Sequence, residues 1–249
     1  MNVLIFAAGL GTRLRPLTDH TPKALVEVGG QPLLYHTLSK VISQGAKEVV
    51  VNVHHHGQQI IDYINSKEWP IPIHISDERT QLLDTGGGLK QAAPLFTDQA
   101  APILIHNVDI LSDADLAALY RQAATGEADA VLLVSARKTQ RYLLFDADGT
   151  LKAWTNIATG EVRTPYEALC TSCLRPLAFA GIHVVTPTLL HYMEQWPTKF
   201  PIMDFYLTHC RDARIQGVEQ DELHLLDVGK IDSLTQAEAF VAENNTPTK

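Results

Sequence analysis

Cysteine is scarce in this chain: Cys170, Cys173 and Cys210 are the only three in 249 residues. So few, in an odd number and with no export signal, exclude a disulfide framework. Cys170 and Cys173 make one C-x₂-C, but a four-ligand zinc site needs two further partners at suitable spacing, so all three read as reduced thiols. No apolar run approaches the ~20 residues that cross a bilayer, which predicts no membrane partner. The start, MNVLIFAAG, lacks a basic segment and its apolar run is broken early by glycine, so no signal peptide is expected and the chain reads as cytoplasmic. Positive charge is also short: 20 Lys and Arg face 28 Asp and Glu, giving a net charge of −8 and a pI near 5.7. Nucleic-acid binders usually carry a basic field, so no nucleic-acid partner is expected. A local cluster of Arg and Lys can still hold a small polyphosphate.

What is present is 45% hydrophobic and 19% charged residues, ordinary for one large globular domain. The first half alternates two periods. Residues 3–6, 48–53, 71–75, 102–105 and 128–135 read as buried strands. Residues 31–44, with apolar Leu33, Leu34, Leu38, Val41 and Ile42, and residues 58–64, 86–93 and 113–124 read as helices. Strands separated by helices on short connections predict right-handed βαβ units: an α/β, three-layer αβα, Rossmann-like fold with a mainly parallel sheet. The pattern then changes. Residues 142–145, 151–154 and 179–185 read as strands separated by turns such as Asp148-Gly149, which predicts a small antiparallel lobe over the end of the sheet. Helices at 188–195, 202–212 and 233–243 and a strand at 223–227 follow, and NNTPTK at the end reads as a loose tail.

The densest motif is FAAGLGTRLRPLTDHTPKAL, residues 6–25, which begins where the first strand ends. In open α/β sheets ligands gather at the carboxyl ends of strands. Gly9 and Gly11 let the backbone approach a ligand, and successive exposed N–H groups make an anion-binding concavity. Arg13, Arg15 and Lys23 add cations, with Asp19 and Glu27 the first acids to follow. The better-known phosphate motifs fail here. A G-x-G-x-x-G fingerprint meets Leu14 where its third glycine should stand, and a P-loop around Gly229-Lys230 meets His224 and Ile231 at its other required positions. A tight strand-to-helix turn explains two glycines; it does not explain the cations that follow them.

Two acids stand just beyond apolar strands: Asp109, in PILIHNVD, and Asp227, in LHLLDVG. Mg²⁺ prefers hard oxygen ligands and often takes one or two carboxylates plus phosphate oxygens. An Asp after a strand is also a common helix N-cap, and Asp113 and Asp115 are read in that way, as first-turn helix residues.

The ordered match AAGLGTRL, then Pro16-Leu17-Thr18, then TPKAL, resembles the signature loop of the sugar-1-phosphate nucleotidylyltransferases, closest to N-acetylmuramate-1-phosphate uridylyltransferases and mannose-1-phosphate guanylyltransferases. The resemblance implies transfer of a nucleotidyl group from a nucleoside triphosphate to a sugar 1-phosphate, with release of pyrophosphate and dependence on Mg²⁺. It implies that Ala8, Gly9, Gly11, Thr12 and Arg13 bind the nucleotide, Arg13 on the triphosphate, and that Lys23 lies against the reacting α-phosphate, Arg13 and Lys23 being the catalytic pair. Asn107-Val108-Asp109 matches the family's Asn-Gly-Asp and Asp227-Val228-Gly229 its second Asp-x-Gly, making Asp109 and Asp227 the metal ligands and Asn107 a sugar contact. Val108 departs from the usual glycine and is bulkier, beside the expected sugar site.

Thr85, Gly86 and Gly87 correspond to a base-contacting segment, where glycines would let a flat base lie against the backbone. The common Glu-Lys-Pro sugar motif is missing; Asn156 stands near its place and Gly181 matches the family's Gly-Ile-Tyr stretch, so both are sugar-side candidates. Arg137, Lys138, Arg141 and Arg175 are candidates for a sugar carboxylate. His54-His55-His56 invites a metal reading, but adjacent residues on an extended chain point to alternating sides, so a strand-end loop is expected. The implied organisation is one domain over residues 1–245, with a nucleotide part over about 1–135, a sugar-binding lobe over about 136–225, and a tail over 246–249. Monomer and homodimer remain open. So do base and sugar, with UTP and N-acetylmuramate 1-phosphate the leading pair; the alternative from another class is a non-catalytic nucleotide-sugar sensor.

Overall fold

The computed structural model describes residues 1–244; the tail expected at 246–249 lies outside the described residues. The chain opens with β1 (Asn2–Phe6), a small hairpin of β2 (Glu27–Val28) and β3 (Gln31–Pro32), α1 (Leu33–Ser43), β4 (Glu48–Val53), α2 (Gly57–Asn65), β5 (Ile73–Asp77) and α3 (Asp84–Ala92). Next come β6 (Ile103–Asn107), β7 (Ile110–Ser112), α4 (Leu116–Thr125) and β8 (Ala130–Ser135). Strands then dominate: β9 (Arg141–Phe145), β10 (Leu151–Asn156), β11 (Glu161–Arg163) and the long β12 (Arg175–Val185). The remainder is α5 (Pro187–Tyr192), α6 (Ile202–His209), β13 (Ile215–Val218), β14 (Leu225–Asp227) and α7 (Leu234–Asn244).

β5, β4, β1 and β6 pair in parallel, which brings the carboxyl ends of β1, β4 and β6 side by side. β12 runs antiparallel between β6 and β8, and β13 closes the far edge parallel to β8. Alternation along the strands explains the layers. Val3, Ile5, Val49 and Val51 enter one apolar cluster with α1, α2 and α4, whereas Leu4 and Val50 enter the other with α3, α5 and α6. Strands buried on both faces therefore read as continuous apolar runs, and the three-layer αβα fold follows.

The antiparallel lobe is β9, β10 and β11, joined to the main sheet by β12. Residues 175–177 of β12 pair with β9, and residues 182–185 pair with β6. Between them the register slips, and Gly181 sits there with φ +76°. Among the departures from the sequence reading, two have plain causes. The helix expected from residue 31 starts at Leu33, because Gln31 and Pro32 pair with β2 and Pro32 becomes its N-cap. β13, sequence IQGV, escaped the pattern because a four-residue edge strand holding a glycine shows no usable period.

Candidate active site

A cavity of about 460 Å³ opens at the carboxyl ends of β1, β4 and β6, walled on one side by residues 6–13 and on the other by Asn107, Val108 and Asp109. That volume suits a small ligand (pockets of about 300–1,000 Å³ are usual). The two loop glycines do different things. Gly11 has φ +64° and precedes the 3₁₀ turn Thr12–Leu14; a Cβ there would come within 2.9 Å of Thr18. Thr18 Oγ1 donates to the Gly11 carbonyl at 2.8 Å, and fully buried Leu14 pins the turn to the core. Gly9 has nothing within 4 Å of the position a Cβ would take, so its bare face is open. Ala8, Thr12 and Arg13 line the cavity with both glycines.

Lys23 enters from the 3₁₀ turn Lys23–Leu25, and its ammonium is ion-paired with the Asp109 carboxylate; the two side chains are only 11% and 18% exposed. Asp109 lies two residues beyond β6, where Val108 N donates to the Phe6 carbonyl at 3.2 Å. Asp227 reaches the same place from the other end of the chain. β14 pairs with β7 so that Asp227 stands opposite Ile110, and Val228 N donates to the Asp109 carbonyl at 2.8 Å. A Cβ on Gly229 would lie 2.6 Å from Asp227 Oδ1 and 2.7 Å from the Arg13 guanidinium, so both side chains close on the bare face of Gly229.

Among the described residues no group of three or more His, Cys, Asp and Glu gathers as a metal cage. Asp109 on the cavity wall, and Asp227 next to the Val228 amide that bonds the Asp109 carbonyl, instead offer the hard oxygens of a divalent cation that completes its shell with phosphate oxygens and water. The histidine triplet follows the end of β4 without forming a cage: His54 Nδ1 lies 2.7 Å from the Glu78 carbonyl and His56 Nε2 3.2 Å from that of Asp19, while the His55 and His56 rings lie 3.9 Å apart.

Further lining residues include Gly229, the end of the Asp-x-Gly match, and two polar residues not singled out beforehand, Asn52 and Glu78. Asn52, at the end of β4, accepts from the amides of Ala7 and Ala8 at 2.7 and 3.2 Å and donates to Glu78 Oε1 at 2.8 Å. Glu78 Oε2 accepts from Leu83 N at 3.1 Å. A buried polar relay thus ties the start of the phosphate loop to the start of α3. Burial pushes the Glu78 carboxyl up, against the pull of the Leu83 and Asn52 hydrogen bonds. One sequence signal existed: Asn52 interrupts the apolar run of EVVVNV.

The glycines of α3 require a different reason from the one expected. A Cβ on Gly86 would meet the Phe200 ring at 2.2 Å, and one on Gly87 would meet the Thr198 carbonyl oxygen at 2.1 Å. Both N–H groups donate to the Phe200 carbonyl, at 2.8 and 3.2 Å. Their bare faces are covered by residues 198–200, and neither lines the cavity; Thr85 does, while its hydroxyl oxygen accepts from Ile202 N at 2.9 Å. On the sugar side, Gly181 faces Asn107: a Cβ there would meet Asn107 Nδ2 at 2.8 Å, so the bulge in β12 leaves room for that amide. Asn156 ends β10, where its side-chain oxygen accepts from Ala158 N at 3.1 Å, and it does not line the cavity. Arg175 is paired with Glu219 at 2.5 Å, whereas Arg137 donates to the Phe179 carbonyl at 3.1 Å, close to the bulge.

The N-acetylmuramate alpha-1-phosphate uridylyltransferase of Caulobacter vibrioides is 32% identical over 247 residues, covering 96% of this chain and 96% of that one. The mannose-1-phosphate guanylyltransferase catalytic subunit beta of Drosophila pseudoobscura pseudoobscura is 26% identical over 90% of this chain and 56% of its own length. In fold, the chain matches a putative glucose-1-phosphate thymidylyltransferase from Bacillus anthracis, solved in complex with a sucrose, at a TM-score of 0.80 and 16% identity over 100% of this chain and 98% of that one. No helix among the described residues is long and apolar enough to cross a membrane. The nucleotidyl transferase family model matches residues 2–244, and the chain belongs to that family of enzymes.

Proposed function

We propose that the enzyme joins UTP to N-acetylmuramate 1-phosphate, forming the nucleotide sugar and pyrophosphate, with Mg²⁺ as its metal. The observation that carries the reaction class is the meeting of Arg13, Lys23 and Asp109 at one cavity beside the open face of Gly9, with Gly229, two residues beyond Asp227, in the same wall. The whole-length 32% identity to the Caulobacter uridylyltransferase supports this choice of base and sugar. The triphosphate would lie along residues 8–13, in the part of the chain up to about residue 135, and the sugar would face Asn107 and Gly181 under the lobe of about 136–225.

The reaction is an in-line attack by the sugar phosphate oxygen on the α-phosphorus, and it needs positioning and charge neutralisation more than covalent help. Asp109 and Asp227 would hold the Mg²⁺, which neutralises phosphate charge when bound. Lys23, now paired with Asp109, sits where its ammonium can turn to an α-phosphate oxygen as negative charge grows there. Arg13 would hold the departing pyrophosphate. Gly229 leaves room for both the Arg13 guanidinium and the Asp227 carboxylate, since any side chain there would displace one of them. Arg137 is the best-placed partner for a lactyl carboxylate, because Arg175 is already neutralised by Glu219.

A guanylyltransferase reading has one observation of its own. Glu78 puts a carboxyl in the cavity, and a carboxylate can accept from two adjacent N–H groups of a guanine edge. Both its oxygens are engaged by Asn52 and Leu83, which weighs against that use. Pyrophosphate release measured with UTP and GTP, each against N-acetylmuramate 1-phosphate and mannose 1-phosphate, separates the two. We expect kcat/KM for the first pair to exceed the others by at least about tenfold, or about 1.4 kcal/mol. Faster guanylyl transfer to mannose 1-phosphate would overturn the substrate choice.

A further inference from the structure

Cys170 and Cys173 lie away from the cavity, in the connection from β11 to β12. Both are exposed, and the 3₁₀ turn Thr171–Cys173 carries them. Their sulfurs are 2.8 Å apart, and the Cys170 sulfur is also 3.3 Å from the Ser172 hydroxyl. Backbone bonds hold the turn: Cys173 N donates to the Cys170 carbonyl, and Leu174 N to that of Thr171, both at 3.2 Å. Two thiols are thus kept in contact by the main chain. A tetrahedral zinc site is not built around them, since no group of three or more metal-binding side chains gathers among the described residues.

The two thiols differ. Hydrogen bonds from the Cys173 thiol and then the Ser172 hydroxyl hold the Cys170 thiol below its usual range, while the same contact with Cys170 pushes Cys173 up. One sulfur is favoured as the thiolate and its neighbour keeps a proton, as in an attacking and a resolving cysteine. Cys210 is the contrast: it is 2% exposed, and burial pushes its thiol up to about 11.

We propose that Cys170 and Cys173 form a reversible dithiol–disulfide site that is oxidised by low-molecular-weight disulfides. The Cys170 thiolate attacks one sulfur of R–S–S–R, forming a mixed disulfide and expelling RS⁻. The Cys173 thiol loses its proton and attacks the Cys170 sulfur, expelling the second RS⁻. Two protein thiols and R–S–S–R become one intramolecular disulfide and two R–SH, with the two electrons leaving on the small thiols.

The test uses the full chain, glutathione disulfide as the oxidant, and N-ethylmaleimide under native conditions as the quench. Reduced protein should take up two labels, on Cys170 and Cys173, and none on Cys210. After oxidation it should take up none, weigh about 2 Da less than reduced protein, and recover both labels after dithiothreitol. Cys173→Ser should stop at a stable glutathione adduct on Cys170, and Cys170→Ser should react more slowly than Cys173→Ser. Glutathione adducts that persist on both cysteines of the unsubstituted chain would overturn the proposal. So would a link between two chains, or labelling of Cys210 as fast as of the other two.

Discussion

Replacing Asn52 with aspartate would turn the relay beneath the phosphate loop into two carboxyls in contact. The new side chain keeps the acceptor that Ala7 N and Ala8 N use at 2.7 and 3.2 Å, but it sets an oxygen against Glu78 Oε1, which Asn52 Nδ2 now reaches at 2.8 Å. Glu78 is 1% exposed, and burial already raises its pKa above the usual 4.5. Two carboxyls so placed share one proton, and one of them titrates well above its ordinary value. The native state then binds more protons than the unfolded chain, whose aspartate titrates near about 3.9. Stability is therefore greatest below that value and falls as pH rises through the raised pKa. Each unit of that rise corresponds to about 1.4 kcal/mol lost as pH climbs from about 4 through the raised pKa, against a total stability of about 5–15 kcal/mol.

Asn52→Leu keeps the shape and removes every polar atom, leaving two amides and one carboxyl oxygen without this partner, at about 1–3 kcal/mol for each group that water does not reach. Glu78→Gln removes the buried ionisable group, so its stability should fall less than that of the unsubstituted protein as pH rises above about 4.5. Urea denaturation of all four proteins at about pH 5 and about pH 8 reads these effects directly. If Asn52→Asp loses no more stability over that interval than the unsubstituted protein, the relay does not hold Glu78 as described.

Asp109→Asn and Asp227→Asn should each lower kcat by at least about 10²-fold in a pyrophosphate-release assay, with the melting temperature nearly unchanged for exposed Asp227 and lowered for Asp109, whose loss leaves the Lys23 ammonium unpaired; near-normal kcat at saturating Mg²⁺ would remove either from the metal site. Lys23→Ala should lower kcat by about 10²–10³-fold and raise the triphosphate KM far less, whereas a raised KM alone would make it a binding residue only. Gly87→Ala should cost at least about 3 kcal/mol, because the new methyl would sit 2.1 Å from the Thr198 carbonyl oxygen; an unchanged urea midpoint would show that residues 198–200 yield freely. Gly9→Ala should leave stability unchanged and weaken triphosphate binding, since the only thing its Cβ can obstruct is a ligand.

The sheet was legible in the sequence wherever a strand is buried on both faces. VLIF and EVVVNV are apolar runs because one side chain faces α1 and α2 and the next faces α3 and α6. The lobe was legible for the opposite reason, that its strands follow one another through turns with no helix between. β13 was not, nor were β2 and β3, which are too short to carry a period. The glycines of α3 were legible as glycines and misleading as to why. Local sequence shows that a side chain is excluded at Gly86 and Gly87, but the excluding groups, Phe200 and the Thr198 carbonyl, lie more than a hundred residues further along the chain.

The same distinction runs through the site. Arg13, Lys23, Gly9 and Gly11 belong to one continuous loop, and all four line one cavity. Asn52 and Glu78 become partners only through register: β4 and β5 pair in parallel with Asn52 opposite Ser76 and Val53 opposite Asp77, and the chain turns back through Glu78, whose N–H donates to Val53 O at 2.8 Å. Register is a tertiary quantity, and nothing in EVVVNV or ISDERT specifies it by itself. Asp227 is the extreme case. Its backbone stands beside Asp109 because β14 pairs antiparallel with β7 and Val228 bonds to the Asp109 carbonyl, and its carboxylate and the Arg13 guanidinium can both close on residue 229 because that residue has no side chain. Spacing offered no reason to join it to the loop; the resemblance of Asp227-Val228-Gly229 to a known motif did, and the contacts of Gly229 supply the physical cause. A substitution at Gly229 should therefore act on Arg13 and Asp227 together: Gly229→Ala must move one of two groups lying 2.6 and 2.7 Å from the new methyl.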